Sequence, residues 1–205
     1  MATTMLGPQP WLGAATLESV LEVNEQALAL LHAQCRAGGS SPPLIQEVKD
    51  LLLNLDAQSM RRAAASAVLL VDAGFADAGL WSSAIIGSVN DRPQVELGPF
   101  FTVDGSVALM RLVMTQAWHL ARSQPAAARL LLGVSVANLS VIGDCTLSRL
   151  TRLAETRSHW LRPRWENRTG IWRDLLRMAG NGERGTLERM RARGLQLLAA
   201  DARPG

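Results

Sequence analysis

The 205-residue chain is predicted to be all-α, a compact multi-helix domain. Three observations lead there. Apolar residues recur at spacings of three, four and seven along most of the chain, the period of helices packed on one side. Capping residues, Gly and Pro punctuate those runs at helical lengths. Hydrophobic residues make up 48% of the chain and charged ones 19%, enough to bury a core and too apolar for a disordered tail.

Residues 1–14, with Gly7, Pro8, Pro10 and Gly13, read as a loose leader. Leu17, Val20, Leu21, Leu28 and Leu31 then share one face of a helix, with Thr16 as its N-cap and Gly38-Gly39 beyond its end. Pro43 suits the first turn of a second helix, which turns Leu44, Ile45, Val48, Leu51 and Leu52 inward. Asp56 caps a third, from Ala57 to about Ser66. Ala67 to Asp72 is a short apolar run that fits strand or helix, and a short helix covers Leu80 to Ile86. Asn90, Asp91, Pro93, Gly98, Pro99 and Gly105 mark residues 88–105 as a linker that Phe100 and Phe101 pin to the core. It separates an N-terminal helical unit, residues 15–87, from a C-terminal one, residues 106–205.

In the second unit Leu109, Leu112, Val113, Ala117 and Leu120 define a helix from Val107 to Arg122. Ala126 to Leu132 forms another, stopped by Gly133. Ser135 caps Val136 to Ile142, and Thr146 caps Leu147 to Thr156. An irregular stretch, His159 to Arg168, precedes a helix that Thr169 opens and that runs from Gly170 to Met178. Gly180, Gly182 and Gly185 break the chain there. Thr186 caps a last helix to about Ala200, with Arg189 in place of the Glu of a capping box.

The two units echo each other at a spacing of about 90 residues. Met60, Arg62 and Ala64 fall opposite Leu150, Arg152 and Ala154, and Phe75 falls opposite Trp165. Trp81 and Trp172 stand one residue out of register. Helices rich in Ala and Leu also align by chance, so duplication and coincidence both stand at this point.

From Val113 to Glu166, about a quarter of the chain, the second unit resembles FlhD, the helical subunit of the flagellar master transcriptional activator. The residues that carry the likeness are Leu132-Gly133, Thr146-Leu147, Leu150, Leu153-Ala154-Glu155-Thr156 and Arg164-Trp165-Glu166. They match that family's Leu-Gly helix stop, Thr-Leu helix start, Leu-Ala-Glu-Thr helix end and Arg-aromatic-acid triplet at the same spacings. The resemblance implies an all-helical fold, transcriptional control and a protein partner like FlhC. With a true repeat, one chain would hold two tandem FlhD-like units as a pseudo-dimer. Three departures stand out. The chain is nearly twice the usual FlhD length. Leu161 occupies the place where many FlhD chains carry a subunit-bridging cysteine, and Trp160-Leu161-Arg162-Pro163-Arg164-Trp165 replaces the family's His-x-aromatic-Arg character.

Charge is divided unevenly. Residues 1–110 carry five basic and eleven acidic residues, a balance of −6; residues 111–205 carry sixteen arginines and seven acids, a balance of +9. A basic half suits an anionic partner, either DNA or an acidic protein face. Arg149, Arg152, Arg157, Arg162, Arg164 and Arg168 crowd one helix and the segment after it. Guanidinium groups bind phosphate bidentately and reach base edges. The helices Val136–Ile142 and Leu147–Thr156, separated by Gly143-Asp144-Cys145, have helix-turn-helix spacing, with Ser148, Arg149 and Arg152 outward on the second. These six arginines are the DNA-contact candidates; the competing reading is a solvated basic face paired with Glu155 and Glu166. Trp160 and Trp165 bracket Arg162 and Arg164 as a surface for partner docking, or else close the core beneath them, which the alternating Leu161 and Pro163 favour. Arg189 and Arg193, four apart beside Arg184 and Arg191 on the last helix, are further partner-binding candidates.

Little points to catalysis. His32, His119 and His159 are scattered, and Cys35 and Cys145 lie 110 positions apart, which fits neither a disulfide framework nor a metal site. There is no HExxH, phosphate loop or G-x-S-x-G elbow. Residues 180–185, GNGERG, match the dinucleotide pattern but follow a helix rather than a strand, and read as a turn. No apolar run approaches the roughly 18 residues of a membrane span, and residues 1–11 lack the basic start and apolar centre of a secretory signal. The chain is therefore expected to be a cytoplasmic non-enzyme with no cofactor. It would act as a transcriptional regulator or regulator subunit through DNA and a protein partner, as a homodimer or an internal pseudo-dimer. The alternative is a protein–protein adaptor or anti-activator without direct DNA binding.

Overall fold

The long apolar stripe after Gly13 forms α1 (Ala14–Ala37), and the stripe after Gly105 forms α5 (Ser106–Ser123). These two helices lie antiparallel at the centre of the computed structural model, which describes residues 13–38, 41–86, 98–182 and 185–201. Thr16 at the start of α1 donates through Oγ1 to Gln124 at the end of α5, at 3.2 Å. At the other end, Gly105 lies against Leu30. Around this pair are α2 (Pro43–Leu53), α3 (Ala57–Ala64), β1 (Val71–Asp72) and α4 (Ala78–Ile86), then α6 (Pro125–Leu132), α7 (Val136–Gly143), α8 (Leu147–Thr156), β2 (Arg162–Pro163), α9 (Thr169–Asn181) and α10 (Thr186–Asp201). The all-α expectation holds, with one addition: the two-residue strands pair antiparallel.

The order helix, helix, helix, strand, helix occurs twice. α1, α2, α3, β1 and α4 are answered by α5, α7, α8, β2 and α9, and the contacts between the sets are reciprocal in part. α2 packs on α9 while α7 packs on α4. Val71 pairs with Pro163 and Asp72 with Arg162, the cross-matched register of a two-fold axis between the strands. Asp56 and Thr146, 90 positions apart, cap α3 and α8 by accepting the N–H of Ser59 and Arg149. From the strands onward the offset is 91, because one extra residue lies between α8 and β2. That corrects the sequence register: Trp81 is level with Trp172, and Trp165 is opposite Gly74 rather than Phe75. Both indoles donate to a main-chain carbonyl just after their strand, Trp81 to Gly74 at 3.1 Å and Trp172 to Arg164 at 2.7 Å. Gly74 (φ 67°) and Trp165 (φ 56°) share a left-handed backbone that glycine adopts freely and tryptophan does not.

One substitution tests this shared turn. A Cβ on Gly74 would stand 2.4 Å from Leu80 Cδ2 in a conformation that already disfavours a side chain. Gly74→Ala is expected to lower unfolding free energy by about 1–3 kcal/mol in a urea titration. A neutral result would mean that the turn relaxes without cost.

The symmetry is broken where α1 is continuous and its counterpart is not. Pro125 lacks the N–H that would carry α5 onward, so the chain turns at Gln124 and restarts as α6. Among the described residues α10 has no counterpart. Several boundaries differ from expectation. The N-cap of α1 is Gly13, and Thr16 lies within the first turn, its N–H bonded to the Gly13 carbonyl. Arg168, not Thr169, is the N-cap of α9, which runs through Gly180 and stops at Gly182 (φ 63°). Residues 1–12 of the expected leader and 88–97 of the expected linker lie outside the described residues. Phe100 and Phe101, at the described end of that linker, are buried as expected.

Three buried amides tie irregular segments to helices. Asn24 of α1 is fully buried; its Nδ2 donates to the carbonyls of Ala64 (3.0 Å) and Val68 (2.8 Å) and to Ser66 Oγ (3.2 Å), and its Oδ1 accepts the Leu70 N–H (2.8 Å). The apolar run before β1 is thus anchored to α1. Gln34 holds Phe100 and Thr102 from both ends of its amide. Asn138 donates to the Phe75 carbonyl at 2.9 Å. A single apolar cluster runs through both halves.

Candidate functional site

α7 and α8 both rest on α5, joined by a turn through Asp144 and Cys145. Capping by Ser135 and Thr146 fixes where each helix begins. Leu150, Leu153 and Ala154 face inward, which leaves Ser148, Thr151, Arg152 and Thr156 exposed on the opposite side of α8. Two large apolar side chains at the helix starts are also exposed, Val136 at 65% and Leu147 at 54%. Glu155 on the same helix pairs with Arg111 of α5. Arg149 is half-buried, and the Arg152 guanidinium has no ion-pair or hydrogen-bond partner among the described residues.

The six candidate arginines do not form one surface. Arg157 lies over the Trp160 ring, its Cζ 5.7 Å from the centroid. Arg162 pairs with Glu166 (2.7 Å), donates to the Gly98 carbonyl (3.1 Å) and covers the Phe100 ring. Arg164 is the clearest correction: it is only 8% exposed, so it faces the interior and not a nucleic acid. Its two terminal nitrogens donate to the Leu131 and Leu132 carbonyls, at 2.9 and 2.5 Å. Arg168 is exposed at the start of α9. Arg152 and Arg168 are thus the two exposed members.

The aromatic candidates pack inward more than outward. Trp160 is half-buried against Trp81, with centroids 6.1 Å apart. Trp165, half-buried beneath Arg164, lines a cavity of about 30 Å3 with Val68, Leu70, Trp172 and Gly194, room for one water and no larger ligand. On α10, Arg193 pairs with Asp174 of α9 at 2.7 Å, while Arg189 is exposed. Arg184 lies outside the described residues.

No described protein family, curated protein or solved structure matches the chain.

The arginines share a chemistry that sequence reading missed. A helix ends with unpaired carbonyls and a partial negative charge. Arg164 takes the last two carbonyls of α6, which closes on Gly133 with a left-handed φ of 66°. Arg62 of α3 does the same for α9: its Nε donates to the Ala179 carbonyl at 2.7 Å, beside Gly182, also left-handed. Arg191 of α10 donates to the carbonyl of Ala65, the C-cap of α3, at 3.3 Å. A signal was present in the sequence, since Gly133 and Gly182 mark helix ends whose carbonyls need donor partners. Which arginine answers each end is decided by the tertiary fold.

Neither cysteine is set up as a nucleophile. Burial pushes both thiols, Cys35 and Cys145, above their ordinary range and keeps them protonated. Among the described residues, no three His, Cys, Asp or Glu side chains gather as metal ligands. No single described helix is long and apolar enough to cross a membrane.

Proposed function

We propose that the chain is an FlhD-like transcriptional regulatory subunit that works by assembling with a protein partner. Its two tandem helical units would stand in one chain for that family's homodimer. The observation that carries this reading is the reciprocal pairing of the halves: antiparallel α1 and α5, cross-matched β1 and β2, and exchanged contacts of α2 with α9 and α7 with α4. Such a body offers rigid helical faces and spends three of its arginines, Arg62, Arg164 and Arg191, on its own helix ends.

A second reading, direct DNA contact through α8, is favoured by the outward Ser148, Thr151 and Arg152. The two readings separate in solution. Co-expression with an FlhC-type subunit encoded in the same genome is expected to give a complex that survives size exclusion. A folded chain that never co-elutes with it would sink the assembly reading. Titration with mixed duplex DNA at low and moderate salt is the second arm. Affinity that falls steeply with salt and is lost in Arg149→Ala/Arg152→Ala would favour direct contact, because each phosphate neutralised releases counterions.

A further inference from the structure

The internal two-fold supplies a template for what binds α8. In the first half, α3 is covered by the C-terminal end of α9. Ser59 is buried there, and the half-buried Arg62 donates to its Oγ and to the Ala179 carbonyl. The matching positions in the second half, 90 further on, are Arg149 and Arg152. Arg149 is half-buried and Arg152 is exposed. Among the described residues the same face exists twice, covered at Arg62 and open at Arg152.

We propose that the open face of α8, centred on Arg152, docks the C-terminal turn of an α-helix from a partner protein, seated as the end of α9 is seated on α3. Charge complementarity supports this occupant. Glu155 is drawn to Arg111, and the exposed Arg152 guanidinium stands at the centre of the face with no ion-pair or hydrogen-bond partner among the described residues. The end of a helix presents unpaired carbonyls and a partial negative charge. Arg62, Arg164 and Arg191 already meet such ends within this chain. The partner turn therefore carries small residues and a terminal glycine, like Ala179-Gly180-Asn181-Gly182, so that the guanidinium reaches the carbonyls. The inference deepens the assembly reading and rests on it for the partner being a protein.

The test does not need that partner. A lactam-stapled, C-terminally amidated peptide of residues 173–182 is titrated to millimolar concentration into the isotope-labelled full chain, and backbone amide shifts are followed. The expected result is shifts confined to residues 147–156, with affinity at least tenfold weaker in Arg152→Ala. Arg152→Lys should recover little, since an ammonium cannot fork across two carbonyls. Arg152 is exposed, so both variants should keep the wild-type melting temperature. No shifts at millimolar peptide, shifts confined to other faces, or equal binding by Arg152→Ala would overturn the proposal. So would duplex DNA that shifts the same amides with steep salt dependence while the peptide does not. Failure here with a stable FlhC-type complex would remove this docking face and leave the assembly reading intact.

Discussion

Replacing Asn24 with leucine is expected to destabilise the fold by about 4 kcal/mol or more, near the limit of what a domain of this size tolerates. The side chain fills a fully buried position on the inner face of α1. Leucine removes the donor to the Ala64 carbonyl, the acceptor of the Leu70 N–H and one of the two donors to the Val68 carbonyl, Ser66 Oγ being the other. Each buried group left without a partner costs about 1–3 kcal/mol. The loss should also appear locally, as faster amide exchange along residues 66–72, because β1 depends on that anchor. Asn24→Asp gives a sharper version. It keeps the acceptor for Leu70 but sets an anion against two carbonyls. Burial would raise the introduced carboxyl's pKa, so the penalty is largest at neutral pH and shrinks as pH falls through that raised value. A change under about 1 kcal/mol for Asn24→Leu would mean that the run before β1 is held by its apolar contacts alone.

Arg164→Met should cost about 3 kcal/mol, with a wild-type-like fold if tested in mild conditions. The methionine fills most of the stem's space but leaves the Leu131 and Leu132 carbonyls in the interior without donors. Arg164→Lys is expected to recover less than half, because a single ammonium cannot serve both carbonyls with the planar geometry of the fork. Urea denaturation gives the energies, and exchange of the Val134 and Ser135 amides reports whether the end of α6 frays. If Arg164→Met were as stable as the parent, the guanidinium would be a passenger.

Helices were legible because their signals are local. Caps such as Asp56, Ser135 and Thr146 and the left-handed Gly133 satisfy backbone groups within one turn, so their places could be read directly. Thr16 misled for the same reason: a threonine before an apolar run looks like a cap, while the chain capped with Gly13 and used the hydroxyl to reach α5. β1 and β2 were not legible. Two residues carry no periodicity, and these pair only because the two-fold brings them together. The aromatic echo between the halves was visible, but its register was not, since the extra residue before β2 could be located only by matching strand to strand.

The basic cluster shows the limit more sharply. In sequence, Arg152, Arg162 and Arg164 are equivalent arginines on a crowded stretch. In the fold one is solvated, one is clamped by Glu166, and one is interior. An arginine stem is long enough to reach either water or a helix end several ångströms away, and nothing in its neighbours along the chain chooses between them. Asn24 went unread for a related reason. A polar residue on an apolar stripe is recognisable, but what it binds lies 40 residues or more away.

A dimer of identical subunits must present each of its surfaces twice, so a change that alters one binding face alters its mate. Joining the two halves in a single chain removes that constraint. α3 is closed under α9 while the Arg152 face of α8 is open, although the two helices hold equivalent places in the pattern. The stoichiometry changes with it. A partner that meets a symmetric dimer in two copies would meet this chain in one, and a single substitution on α8 would have no second site to mask it.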